Sequence, residues 1–303
     1  MVAANIELPN IRKFFIPDAG HTICDADLSG ADAQIVAWES GDEDLKAAFR
    51  SGIKIHVHNA RAMFEHELKD LSNEEIQKAP VYRAVKAGCH ACNYGAHPPT
   101  LSANIGWTIK FAEEFRERWF YLHPDILKWH ERIERYLYGE QCWNCDATKG
   151  LKIGHACPTC GSHLGRTIKN AFGFRRIYQE RIDASLLNAA LAWGPQSTVA
   201  FCTELGWTNI AYGTEYLTQF AHGETTLAQW QEWLVEPNAF QKWNHIVEFL
   251  IQVHDSIVFQ VPIEIESQIP QIVNDMLVKV PYPDPLVIPL GFKFSRESWG
   301  DCE

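Results

Sequence analysis

A chain of 303 residues, 46% apolar and 12% aromatic, is long enough to bury a large core and too long for one small domain. No run of about eighteen apolar residues occurs, and no apolar stretch follows a basic start, so neither a membrane span nor a signal peptide is expected and the cytoplasm is the expected compartment, that of a host if the source is viral. The formal net charge of −11 excludes a uniformly basic surface for coating nucleic acid, yet Arg166, Lys169, Arg175, Arg176 and Arg181 face a single acid, Glu180, across 166–181, a basic stripe inside an acidic whole.

In chain order, Ile23 to Leu28 reads as a strand that delivers Asp27 near its C-terminal end. Ser29 to Trp38 reads as a helix stopped by Gly41 and Asp42, with a second helix over Glu43 to Phe49. Ser72 and Glu75 form a capping-box signature, and the next helix begins near Pro80 and runs to about Tyr94, where Gly95, His97, Pro98 and Pro99 end it. Lys110 to Tyr138 is amphipathic and charged, fit for one or two helices. Gln141 to Gly165 breaks the pattern with Cys, Gly and Thr and reads as an inserted module. Near the end, Phe249 to Val253 and Ile257 to Val261 flank His254-Asp255-Ser256, a hairpin with an acid at its tip.

An Asp at a strand end, taken singly, commonly serves a turn or a cap. Two carboxylates delivered by separate strands, here Asp27 and Asp255, are what a two-metal phosphoryl transferase requires, because two cations must stabilise the attacking and the leaving oxygen. Between them, Lys86, His90 and Tyr94 recur every four residues and share one helix face, a cation, an imidazole and a phenol in line. Cys142-x2-Cys145-x11-Cys157-x2-Cys160 supplies four thiolates for one structural Zn2+ in a ribbon-like module, with His155 or His163 close enough in sequence to replace one ligand. Cys89-x2-Cys92 has the same spacing but no partner pair, and reads as packing within its helix.

These stretches resemble the motifs of family A, DNA polymerase I-type, DNA polymerases. From Asp27, D-L-S-G-A-D-A-Q-I-V-A-W-E-S-G-D-E is similar to the first polymerase motif, with a carboxylate five positions after the metal Asp and G-D-E beginning fourteen after it. Lys86 with Tyr94-Gly95 resembles the K-x7-Y-G helix of the fingers, and Gln252-Val-His-Asp255 resembles the Q-V-H-D hairpin. Phe172-Gly-Phe-Arg-Arg176 is similar to the G-R-R turn before the long palm helix, Pro195-Gln-Ser-Thr198 to the P-x-Q-G-T segment, and Trp299 to the terminal tryptophan.

The resemblance implies an α+β fold: a right-hand palm with an antiparallel sheet over 1–60 and 181–303, and a mainly helical fingers lobe over 61–180 holding the insert at 141–165. It implies two Mg2+ on Asp27 and Asp255, nucleotide contacts from Lys86, His90, Tyr94, Asp32 and Arg83, and primer-template contacts from Arg175, Arg176, Gln196 and His254. Four positions depart from the family pattern: Asp32 stands for the usual Glu near the sugar 2′ position, His90 for Phe or Tyr, Tyr82 for an Arg with Arg83 adjacent, and Ser256 for a common Glu. The activity implied is DNA-templated addition of dNTP to a primer. A phage-type single-subunit RNA polymerase, read from Asp25 as D-A-D-L-S-G, and a non-catalytic primer-template binding subunit are the alternatives. Because only twenty-six residues precede Asp27, either a separately encoded N-terminal half carrying thumb and exonuclease is an expected partner or the sequence is that of a truncated gene.

Overall fold

The computed structural model describes residues 10–213, 227–237 and 239–302. A 3-10 turn, Ile11–Phe14, precedes strand β1, His21–Leu28. Helices α1 (Ala31–Ser40), α2 (Glu43–Arg50), α3 (Ile55–Met63), α4 (Glu65–Leu68) and α5 (Asn73–Lys78) follow. The capping box is formed, but it caps the short α5, and Pro80 opens a separate helix α6, Pro80–Asn93, at the position where a missing N–H costs nothing. After α7 (Pro98–Ile105) the charged stretch divides into α8 (Ile109–Leu122) and α9 (Pro124–Tyr138), because Pro124 cannot continue the preceding helix but can begin the next. The four-cysteine segment comes next, then the short hairpin β2 (Thr167–Lys169) and β3 (Arg175–Ile177) and the long α10, Ala184–Ala211. Then come α11 (Leu227–Trp233), α12 (Ala239–Trp243), β4 (Glu248–Val253), β5 (Ser256–Pro262), α13 (Ile269–Asp275), β6 (Lys279–Val280), β7 (Leu286–Val287) and β8 (Leu290–Ser295), before a 3-10 turn at Trp299–Asp301.

The chain forms two compact units, Met1–Ala31 with Val199–Glu303, and Asp32–Thr198. Residues 32–60 thus group with the second unit, since α3 packs on α6 and α8.

The first unit is built on an antiparallel sheet in the order β4-β5-β1-β8. Strand alternation splits β1 into two faces. Cys24 and Ala26 point into the main core with Ile257, Phe259, Val261, Ile272 and Met276. Ile23 turns to the other side, against Val258 and Trp299, and Asp25 and Asp27 share that side by period two. Gly206, in the second half of α10, lies so close to α13 that a Cβ there would stand 2.2 Å from the carbonyl oxygen of Met276, just past the helix end.

The second unit is helical. Gly88 lets α6 approach α8, since a Cβ there would meet the Phe115 ring at 2.7 Å. Asn93, at the end of α6, ties in two further helices: its side chain accepts from Trp119 Nε1 at 3.2 Å, and its carbonyl accepts from His130 Nε2 at 2.8 Å. Burial drives His130 down to about 4, so it packs as a neutral ring. Cys89 and Cys92 are buried in the same region, as packing residues. Asp42 caps α2 through the Leu45 N–H at 2.9 Å and accepts from buried His123 Nδ1 at 3.1 Å.

Candidate active site

The β4-β5 hairpin brings Asp255 beside the end of β1. Asp27 pairs in register with Ser256, and the Leu28 N–H donates to the Asp255 carbonyl at 3.1 Å. The turn has two central residues, and His254, the first, is left-handed at φ 55, a conformation that costs a non-glycine residue about 1 kcal/mol. That turn leaves His254 exposed and Asp255 half-buried at the hairpin tip.

Three carboxylates therefore share this edge of the sheet, in different circumstances. Asp25 is tied down: one oxygen accepts from the Ser256 hydroxyl, the other from Trp299 Nε1 at 2.7 Å, and Arg12 lies 3.8 Å away while stacking over the Trp299 ring at 4.4 Å. Asp27 is the open one. Partial burial of its carboxyl and the negative charges of Asp255 and Asp25 push Asp27 up to about 6, against an opposing pull from Arg12. A hard divalent cation is the natural complement to such crowding, since carboxylate oxygens suit Mg2+ and the cation relieves the repulsion. Asp27 and Asp255 have the donor atoms for that role, and Asp25 has its oxygens already engaged.

In the second unit, α6 presents Arg83, Lys86 and His90 to solvent, as their three- and four-residue spacing requires. The His90 and Tyr94 rings meet edge to face at 4.9 Å. Burial and the Asp32 carboxylate beside it push the Tyr94 phenol far above its ordinary range, so Asp32 and Tyr94 adjoin at the end of this face. His56, on α3, lies edge-on to Tyr82 at 6.3 Å, and burial together with the charges of Lys86 and His90 drives it down to about 4. It is a neutral ring behind the cationic face. Gln196 is exposed on α10, and Arg175 and Arg176 are exposed on β3.

The four cysteines converge with every Sγ within 4.8 Å of the others, and neither His155 nor His163 joins them. Cys142 and Cys160 are 3.7 Å apart, as are Cys145 and Cys157. That separation is far too long for a disulfide and matches the edge of about 3.8 Å of a thiolate tetrahedron whose metal–sulfur bonds are about 2.3 Å. The hydroxyl and the backbone N–H of Ser162 hold Cys160 down at about 6, favouring the thiolate. The donor set fits one closed zinc site.

Residues 3–144 match the model of DNA polymerase family A. The thermostable DNA polymerase I of Thermus filiformis is 34% identical over 122 residues, 40% of this chain and 14% of that protein. The DNA polymerase I of Caldicellulosiruptor bescii is 31% identical over 126 residues, 42% of this chain and 14% of that protein. The DNA polymerase I of Chloroflexus aurantiacus is 22% identical over 283 residues, 93% of this chain and 24% of that protein. Over residues 3–144 the chain is thus similar in sequence to DNA polymerase family A. Among solved structures, the POL domain of Pol1 from M. smegmatis, in complex with DNA primer-template and dNTP, is similar over 98% of this chain and 44% of that one, with a TM-score of 0.65 at 18% identity. The α+β fold expected from the motifs is thus the fold found, and the chain spans less than a quarter of the length of these DNA polymerase I relatives. Sequence reasoning assigned no role to Arg12 or His56 and did not foresee that Asp25 would be bonded. The only local signal for Asp25 is its two-residue spacing from Asp27, which puts both on one face of a strand.

Proposed function

We propose that this chain performs DNA-templated transfer of deoxynucleotides from dNTP to a primer 3′ end, with Asp27 and Asp255 as the metal-binding carboxylates. The observation that carries the reading is the open, repelling pair at the hairpin edge, with Asp27 raised to about 6 by partial burial and by Asp255 and Asp25. Asp25, already bonded to Ser256 and Trp299, is the poorer ligand, which favours the register from Asp27 over that of a phage-type RNA polymerase.

Two Mg2+ ions held by these carboxylates would supply charge neutralisation at the attacking and leaving oxygens. The remaining work is positioning. Lys86, with Arg83 beside it, binds the triphosphate by charge, and neutral His56 behind Lys86 adds no competing cation. The His90 and Tyr94 rings flank the sugar and base, and Asp32 borders the sugar 2′ side with one methylene less than a Glu would bring. His254 stands at the primer terminus, while Gln196, Arg175 and Arg176 contact the primer-template. In this reading the sheet-bearing unit is the palm, the helical unit is the fingers, and the four cysteines hold a structural Zn2+. A chain of net charge −11 has little positive surface to spare for gripping a duplex, so a thumb-bearing partner is part of the proposal.

Primer extension in Mg2+, with dNTP and rNTP in parallel, tests it. Wild-type chain should extend with dNTP, and Asp27→Ala or Asp255→Ala should lose at least about a thousandfold in incorporation with primer-template binding retained. Turnover that survives Asp27→Ala and vanishes in Asp25→Ala would overturn the assignment. Binding without extension in the wild type would leave only a primer-template binding subunit.

A further inference from the structure

Residues 141–181 carry seven Lys and Arg against two acids, a local balance of +5 in a chain of −11. The structure joins this stretch into one body at Trp143. Its backbone follows Cys142 directly, and its indole Nε1 donates to the His163 carbonyl at 3.1 Å, so both cysteine knuckles hold the ring. Two cations lie over that ring, Lys169 Nζ at 5.9 Å and the Arg175 guanidinium at 5.6 Å from its centre. They are a cross-strand pair of the β2-β3 hairpin and therefore share one hairpin face. Lys169 Nζ also donates to Asn144 Oδ1 at 2.9 Å, and Asn144 lies between the cysteines of the first knuckle and donates to Ser162 Oγ at 2.9 Å beside the second. Lys169 is thus fixed by a neutral amide and an aromatic face, which leaves its charge uncancelled by those two contacts. Immediately before Arg175, Phe174 has 47% of its surface exposed.

We infer that the four-cysteine module and the β2-β3 hairpin form one surface that binds single-stranded nucleic acid, in which the cysteine cluster holds Trp143 and Trp143 holds Lys169 and Arg175 toward backbone phosphates. Lys169, whose amide and ring contacts leave its charge in place, is stabilised by a polyanion. An exposed aromatic ring next to the two cations suits an unpaired base, whose faces a duplex hides. The identity of the partner rests on the polymerase reading, in which the unpaired template is the strand the protein meets.

Fluorescence anisotropy of the full chain with a labelled single-stranded oligodeoxynucleotide, and with a blunt duplex of equal length, over a salt series tests this. Lys169→Ala should weaken single-strand binding about fivefold and lower the salt slope by about 0.7, with zinc content unchanged, the duplex little affected and Lys169→Arg restoring binding. Cys157→Ser with Cys160→Ser should weaken it at least as much, and Lys169→Ala should then add little. Unchanged single-strand affinity in zinc-replete Lys169→Ala, equal loss on the duplex, or a full Lys169→Ala effect in the cysteine-depleted chain would each overturn the inference. Parallel primer extension separates the two readings: extension without the single-strand effect fails this inference alone, and the effect without extension fails the polymerase reading alone.

Discussion

Asp27→Asn offers a test that needs no substrate. The folded chain holds the Asp27 carboxyl up at about 6, from an ordinary 3.8, through partial burial and the facing Asp255 and Asp25. For a fully shielded group that rise would correspond to about 3 kcal/mol; Asp27 is open to solvent, and screening reduces the effect to about 1 kcal/mol. The sign follows from proton linkage. Between pH 3.8 and about 6 the folded chain binds more protons at this site than the unfolded chain, so stability falls as pH rises through that window and the loss is complete above it. Asparagine keeps the shape and removes the repulsion. Metal-free Asp27→Asn should therefore melt about 2 °C above wild type at about pH 7.5, and the two should converge near about pH 4. Mg2+ should raise the wild-type Tm and raise that of the variant much less. Scanning calorimetry across this pH range with and without Mg2+ is the assay. A variant no more stable than wild type at neutral pH, or equally stabilised at both ends of the range, would refute the argument from crowded carboxylates.

Asp32 adjoins Tyr94 at the end of the α6 face, so Asp32→Glu should tighten discrimination against ribonucleotides or slow incorporation by crowding, read as the kcat/KM ratio for dNTP and rNTP; an unchanged ratio would assign selection to His90 or the backbone. The 3.7 Å sulfur separations predict close to one zinc per chain by metal analysis, lost when Cys157→Ser and Cys160→Ser are combined, and zinc-free protein of unaltered stability would contradict them. Gly206→Ala should reverse the usual gain of about 1 kcal/mol for alanine in a helix, because its Cβ would stand 2.2 Å from the Met276 carbonyl oxygen, and denaturant unfolding should register a net loss of about 2 kcal/mol.

What the sequence determined by itself was whatever is written in short spacing. The strand that carries Asp27, the hairpin that carries Asp255, the start of α6 at Pro80 and its end before Gly95, and the four-cysteine module all follow from period, caps and turn chemistry within a few residues. The helical face of Lys86, His90 and Tyr94 is of the same kind. Tertiary structure decided the rest. Asp25 and Asp27 are the same residue type on one face of one strand; the spacing to Asp32 and to Gly41-Asp42-Glu43 singles out Asp27, but nothing local says which donors reach either carboxylate. Only the sheet order, with β5 on one side of β1, and the packing of the chain ends bring Ser256, Arg12 and Trp299 onto Asp25, the last from 274 residues away. The same holds for His123 on Asp42, 81 residues apart, and for His56 behind Lys86. A carboxylate becomes a fixed structural acceptor or an open ligand according to which donors reach it. Those donors come from distant elements that only the packed core brings together.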